Sequence, residues 1–343
     1  MVSRRQLLKW AGGASAALTM NAMTSRNVFA DVHSPNLNVT SPPTPLGRAT
    51  LFGAEVYKQP RRDSPTLRKI GQDEVFDLLG VVTGDALLSH NNVWFKIDDG
   101  FVYSSYVQPV RDDKIAALPA LAKEKFWGEI SAPFIESHVS PDPSSPVVRR
   151  LYYSSVFRVV DVVMGSNEEW WYRLQYGATY GALGPFIPAT HLRRFDPIEL
   201  SPLSSNVKDK RIEVNITQQT MAAYEGNQIV KISRVSTGSD RYYTPRGSYR
   251  IWRKAPGQRL LGGYGDDRYD LLGVPFVTYF TRNGIAFHGV YWHNDFGTPR
   301  SHGCVNVPPD VARWIWRWVT PISPYQSPDF YFNESLGTRV EVI

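Results

Sequence analysis

The stretch TRNGIAFHGVYWHNDFGTPRSHGCVN, residues 281–306, decides how this chain of 343 residues is read. Asn283-Gly284 stands between two β-rich runs, PFVTYF and IAFHG, which predicts a hairpin that delivers His288 to a strand end. The stretch holds the only cysteine of the chain, Cys304, and three of its seven histidines, His288, His293 and His302. A thiol attacks as its thiolate and is mostly protonated at neutral pH unless a neighbouring base takes its proton. His302 lies two residues before Cys304, on the same side of an extended segment. His288 arrives from another strand and can approach the sulfur independently. Gly289 and Gly303 leave bare backbone beside the pair, and the N–H groups around Gly303 and Cys304 are candidates to hold an oxyanion.

The flanking sequence reads as mainly β. In RIEVNIT, Ile212, Val214 and Ile216 alternate with polar residues; Glu225-Gly226-Asn227 supplies a turn, and 229–235 a return strand. Beyond the cysteine, Val311, Trp314, Ile315 and Trp318 recur at i, i+3, i+4 and i+7, which predicts one short helix with its apolar face in the core and Asp310 near its N-terminus.

Towards the N-terminus the chain repeats itself. VYKQPRRDSPTLRKI and VWFKIDDGFVYSSYVQPV in a first copy, 48–111, correspond to FIESHVSPDPSSPVVRRL and EWWYRLQYGATYGALGPFIPATHLRRF in a second, 127–197. Trp94 aligns with Trp171, Gly100 with Gly184, and Phe101-Val102 with Phe186-Ile187. Short strands separated by turns predict two small barrels, with both tryptophans buried as core residues. The pattern resembles bacterial SH3-like domains. Residues 112–126 link the copies and are read as holding a short helix, and 201–210 form a second polar linker.

The first residues read as an address. SRRQLLKW, a mild apolar run and VFA before Asp31 make residues 1–30 an export signal, and the Arg4-Arg5 pair resembles the twin-arginine signal handled by the Tat translocon. Residues 31–47, rich in Pro, Ser, Thr and Asn, are read as a tether. Removing Arg4, Arg5, Lys9 and Arg26 lowers the formal charge from +6 to +2, so the basic balance gives no case for nucleic acid. No apolar run is long enough to span a membrane in the mature chain. The expected location is therefore the periplasm, cell wall or extracellular face, where a lone thiol is either inert or kept for its reactivity.

GIAFHG followed by SHGCVN resembles the signature of the L,D-transpeptidases, the YkuD domains. VSTGSDRYYTPRGSYRIW, with Thr237-Gly238 and Thr244-Pro245-Arg246-Gly247, resembles that family's TG and TP-x-G stretch. The likeness covers 209–343 and implies a β-sandwich-like catalytic domain that works on peptidoglycan stem peptides without a metal or cofactor. It implies Cys304 as nucleophile and His288 as general base, oriented by the Gly289 carbonyl. His302 is implied as an auxiliary beside the oxyanion region at Gly303. Ser301, Asn306, Tyr291 and Trp292 fall on the substrate side, with packing an equal account of the two aromatics. Family members often carry Arg where this chain has Asn306. The implied reaction is a Cys304 thioester with the third residue of a tetrapeptide stem, release of D-Ala, and transfer to an amine in a 3→3 cross-link. Water as acceptor gives a carboxypeptidase, and anchoring a protein to the wall is a third outcome. Rival readings are an inert buried thiol, a metal site using His288, His293, His302, Asp295 and Cys304, and a non-catalytic wall-binding protein. The scattered ligand types lack zinc spacing.

Overall fold

The structure, a computed structural model, describes residues 45–50, 53–121, 124–175, 183–325, 327, 330–331 and 333–343. The expected export signal and residues 31–44 of the tether lie outside the described residues.

The first β unit contains β1 (Leu46–Ala49), β2 (Ala54–Tyr57), β3 (Thr66–Ile70), β4 (Val75–Asp77), β5 (Gly80–Leu88), β6 (Asn91–Ile97), β7 (Gly100–Tyr103) and β8 (Val107–Val110). The second contains β9 (Phe126–Ile130), β10 (Phe134–His138), β11 (Val147–Tyr152), β12 (Val156–Met164), β13 (Trp170–Gln175), β14 (Leu183–Pro188) and β15 (Leu192–Arg194). Their ladders are equivalent. Strand β1 pairs with β4 and β8, β2 with β3 and β7, and β6 with β5 and β7. In the second unit β9 pairs with β12 and β15, β10 with β11 and β14, and β13 with β12 and β14. The long β12 thus does the work of β4 and β5 together.

The repeat extends to side chains. Trp94 opposes Tyr103 and Trp171 opposes Pro188, each partner standing one residue before a 3-10 turn. The two tryptophans are 0% and 1% exposed, as core residues should be. Tyr57 meets Trp94 edge-on at 5.2 Å, and His138 meets Trp171 edge-on at 5.6 Å. In this register Gly100 corresponds to Pro185 and not to Gly184. The sequence alignment slips by one there because β14 carries an extra residue: Phe186 to Leu183, three steps, faces Arg173 to Gln175, two steps, of β13. In the stretch between the units, the described residues hold a 3-10 turn at Pro119–Leu121 where a short helix was expected.

The C-terminal region contains β16 (Lys210–Asn215), β17 (Thr220–Glu225), β18 (Gln228–Arg234), β19 (Gly247–Arg250), β20 (Arg253–Gly262), β21 (Tyr269–Tyr279), β22 (Ala286–Gly289), β23 (Val305–Val307), helix α1 (Pro309–Trp318), β24 (Phe330–Tyr331) and β25 (Arg339–Val342). They form two five-stranded sheets, β18-β17-β16-β25-β19 and β23-β22-β21-β20-β24. Ile212 and Val214 are fully buried, as their alternation requires. A strand absent from the sequence reading, β17, intervenes before the Gly226-Asn227 turn and pairs with both β16 and β18. Helix α1 packs on β21 and β22 and buries Val311, Ala312, Ile315, Trp316 and Trp318. Each of its large side chains contributes about 1.5–3 kcal/mol of apolar burial. Two buried lysines close its C-terminal end: Lys210 Nζ donates to Trp318 O at 2.8 Å, and Lys254 Nζ to Val319 O at 3.3 Å and Pro321 O at 3.2 Å.

Trp127, Val156 and Phe195 of the second β unit belong to the same apolar cluster as Ile212, Phe287 and Ile315. The polar stretch 201–210 is therefore fastened: Leu203 N–H donates to Arg317 O at 3.1 Å and Arg317 Nε to Ser201 O at 2.7 Å. The described residues, from 45 onward, form one unit.

Candidate active site

The hairpin expected at Asn283-Gly284 forms. Thr278 and Tyr279 of β21 oppose Phe287 and Ala286 of β22, and Gly284 takes a φ of +99° in the turn. Strand β22 then pairs in parallel with β23, placing His288 opposite Asn306 and Phe287 opposite Val305. Cys304 immediately precedes β23, so His288 and Cys304 sit on adjoining parallel segments at the edge of one sheet. Gly289 must be small because a Cβ there would stand 2.9 Å from Pro309 Cα, at the start of α1.

His288 is buried, and its Nδ1 lies 3.1 Å from the Gly289 carbonyl oxygen. A carbonyl only accepts, so Nδ1 carries the proton and Nε2 keeps its lone pair. Burial pulls the imidazole down to about 4, against the Gly289 carbonyl, which favours the charged form. Cys304 keeps partial solvent access, and its Sγ faces Gly284 O at 3.8 Å. Desolvation pushes the thiol up to about 11, with a hydrogen bond from the Ala286 backbone acting the other way. At neutral pH both the thiol and the imidazole rest uncharged.

The turn before the cysteine is tightly built. Gly303 has a φ of +111°, a backbone conformation that suits glycine. Its N–H donates to Ser301 Oγ at 3.0 Å, while the Ser301 hydroxyl donates to Cys304 O at 2.5 Å. Thr244 Oγ1 donates to Gly303 O at 2.8 Å and accepts from Gly238 N–H at 2.9 Å. The TG and TP-x-G stretches thus converge on this turn. His302 is exposed and lies against two rings, Tyr242 at 4.2 Å and Tyr269 at 5.0 Å. Both tyrosines escaped the sequence reading, since no spacing links them to the His-Gly-Cys run.

The remaining expected site residues fall in different places. Trp292 is partly buried, 5.8 Å ring to ring from His288, and packs with Cys304 on the same apolar cluster. Tyr291 turns away: its hydroxyl donates to Leu272 O at 2.7 Å, and its ring stacks on Tyr152 of the second β unit at 5.4 Å. Both aromatics line a cleft of about 310 Å³ shared with Arg48, Gln72, Arg149 and Asp270. Asn306 is only 2% exposed and meets His293 Nε2 at 3.0 Å, so its carboxamide lies beneath the 290–301 segment and not on an open wall. Among the described residues, no group of three or more His, Cys, Asp or Glu side chains is placed to hold a metal ion.

Residues 209–342 match the model of the L,D-transpeptidase catalytic domain, YkuD. The match takes in both sheets, α1, His288 and Cys304, with the two β units preceding it. Solved structures similar to this chain include the Ldtfm-avibactam carbamoyl enzyme, at 25% identity over 40% of this chain and 49% of that one, with a TM-score of 0.33. An L,D-transpeptidase from Enterococcus faecium is 24% identical over 40% of this chain and 50% of its own, with a TM-score of 0.33. One from Mycobacterium smegmatis is 15% identical over 70% of this chain and 92% of its own, with a TM-score of 0.34. The chain spans about half the length of the first two. No curated protein matched it.

Proposed function

We propose that this chain is an exported, cysteine-dependent L,D-transpeptidase that acts on peptidoglycan stem peptides. The observation that carries the reading is the His288–Cys304 pair on adjoining parallel segments, with the Gly289 carbonyl fixing the imidazole so that Nε2 is free to take a proton. Its setting in a region that matches the L,D-transpeptidase catalytic domain supplies the substrate class. Because thiol and imidazole both rest uncharged, proton transfer to His288 accompanies attack by Sγ on the carbonyl of the third stem residue. The Gly303 amide is engaged by Ser301, so the Cys304 amide is the backbone donor for the developing oxyanion. Protonated His288 then returns its proton to the departing D-Ala amine, leaving a Cys304 thioester. An amine of a second stem attacks that thioester, with His288 again accepting the proton, to give the 3→3 link; water in its place gives hydrolysis.

Tyr242 and Tyr269, packed on His302, and Trp292, packed on His288, are the aromatic residues that receive the substrate. The Arg4-Arg5 segment supplies twin-arginine export, in keeping with a family that acts on the cell wall outside the cytoplasm. The two β units are SH3-like modules that hold the enzyme on its polymer and raise the local substrate concentration. Among the described residues no helix is long and apolar enough to cross a membrane.

The test is product analysis. Disaccharide-tetrapeptide incubated with the chain should yield free D-Ala and a cross-linked dimer, both absent with Cys304→Ala. Hydrolysed monomer alone would make it a carboxypeptidase. Binding to peptidoglycan with no product from either protein would make it a wall-binding protein.

A further inference from the structure

The segment between β22 and Cys304 has two faces with different partners. On the catalytic face, Trp292 lies 5.8 Å from the His288 ring and packs against the apolar cluster of Val274, Val277, Tyr279 and Ala286 on which Cys304 also rests, and His293 meets Asn306. On the other face, Asn294 uses both hydrogens of its carboxamide on the first β unit, donating to Ser104 O at 3.0 Å and Val107 O at 2.9 Å. Asp295, 2% exposed, presents Oδ1 3.3 Å from His90 Nε2 of the same unit and accepts Arg300 Nε at 2.8 Å on Oδ2. Gly297 has a φ of +120°, and a Cβ there would stand 2.3 Å from the His90 ring. Arg48, buried in the first unit and paired with Asp73, donates to Tyr291 O.

These contacts bind residues 291, 294, 295 and 297 to one rigid wall, while Trp292 and His293, interleaved with them, face the chemistry. A loop that served only to connect two strands would not need a buried carboxylate, a doubly used carboxamide and a close-approach glycine against another unit. We infer that the first β unit sets the position of the 290–301 flap over Cys304, with Asn294 and His90 as positioning residues. The unit then contributes to catalysis through geometry, besides any role in holding the wall. A displaced flap leaves Cys304 and His288 intact but removes Trp292 from beside them and opens the sulfur to solvent.

The turnover arm of the test rests on the acyl-transfer reading, whereas the thiol arm does not. Because Cys304 is the only thiol in the chain, iodoacetamide followed by intact mass reports its accessibility directly. Asn294→Ala and His90→Ala are compared with the unsubstituted chain at one pH. Each should raise the alkylation rate about tenfold, the scale set by losing the two hydrogen bonds of Asn294 or the imidazole–carboxylate and ring–Gly297 contacts of His90 that hold the closed position. With a tetrapeptide donor kcat should fall more than KM changes, since attack and not capture depends on the covered geometry. The double variant should be no worse than the more affected single one. Should Asn294→Ala fail to fold, His90→Ala, placed on the other unit, decides alone. Alkylation rates and kcat equal to those of the unsubstituted chain would overturn the inference. An unsubstituted chain without turnover removes the transpeptidase reading, and the alkylation comparison still settles the flap.

Discussion

Asn306 and His293 are bound to each other beneath the flap, the carboxamide 3.0 Å from Nε2. The Asp295 N–H donates to His293 Nδ1 at 3.3 Å, so the neutral ring carries its proton on Nε2. The carboxamide nitrogen is the atom that faces Nε2; turned end for end, the carboxamide presents Oδ1 to that proton instead, which gives a partner to Asn306 Oδ1, a buried oxygen that otherwise has none. Replacing Asn306 with Leu removes the acceptor and strands a buried N–H, a loss of about 1–3 kcal/mol. Urea unfolding measures it, and a midpoint unchanged from the unsubstituted chain would show that the pair does not hold the flap.

The protonation of Cys304 makes a second prediction. With the thiol pushed up to about 11 and His288 down to about 4, no thiolate–imidazolium pair is populated in the free chain. Alkylation of Cys304 should climb by about tenfold per pH unit from pH 7 to pH 10. A plateau reached below pH 8 would mean a preformed ion pair.

His288 also links stability to pH. Its folded pKa, about 4, lies below its ordinary value of 6.5, so between these values the unfolded chain binds a proton that the folded chain refuses. Stability is therefore full above pH 6.5 and is lost as pH falls towards 4, by up to roughly 3 kcal/mol from this residue. His293, pulled down to about 4 by burial, acts in the same direction. Denaturation at pH 7 and pH 4.5 should show a smaller loss for His288→Gln than for the unsubstituted chain; equal losses would contradict it.

Lys254 predicts the opposite end of the pH scale. Burial lowers it to about 7 from 10.5, although its ammonium faces the carbonyls of Val319 and Pro321. Between pH 7 and 10.5 the unfolded chain holds the extra proton, so stability rises with pH across that window. Lys254→Met should flatten the rise between pH 7 and 9, as read by the melting temperature. An identical rise in the variant would show that Lys254 is not its source.

Much of the fold of residues 209–342 was legible because its signals are local. Asn283-Gly284 marks a hairpin, Val311, Trp314, Ile315 and Trp318 mark a helix face, and the His288 and Cys304 runs fall on adjoining parallel segments. The repeat was legible for a related reason, since Trp94 and Trp171 occupy the same ladder position in two copies of one fold. What stayed hidden depends on distant neighbours or on an unmarked turn. The turn before β17 has no Gly or Pro; Gln219 supplies its positive φ of 53°. Tyr242 and Tyr269 reach His302 from other segments, and Arg48 reaches the Tyr291 carbonyl across 243 positions of sequence. Asn306 reads as a substrate contact from its place two residues after the cysteine, yet His293 of the 290–301 segment covers it and takes its carboxamide.

Gly303 offers a check on the turn that presents the thiol. Its φ of +111° is a conformation a side chain resists, and Gly303→Ala should cost about 1–3 kcal/mol of stability. Activity should fall further than stability accounts for, because the Ser301 and Thr244 bonds that fix the turn converge on this residue. A variant as active and as stable as its parent would show that the turn tolerates other geometries.

The central claim is that Cys304 becomes acylated by a tetrapeptide stem. The most direct measurement is intact mass of the chain after brief mixing with a tetrapeptide donor and no acceptor, with Cys304→Ala alongside. The expected result is an adduct equal to the donor less D-Ala, mapped to Cys304 and absent from the variant. A folded chain that forms no adduct and releases no D-Ala contradicts the claim.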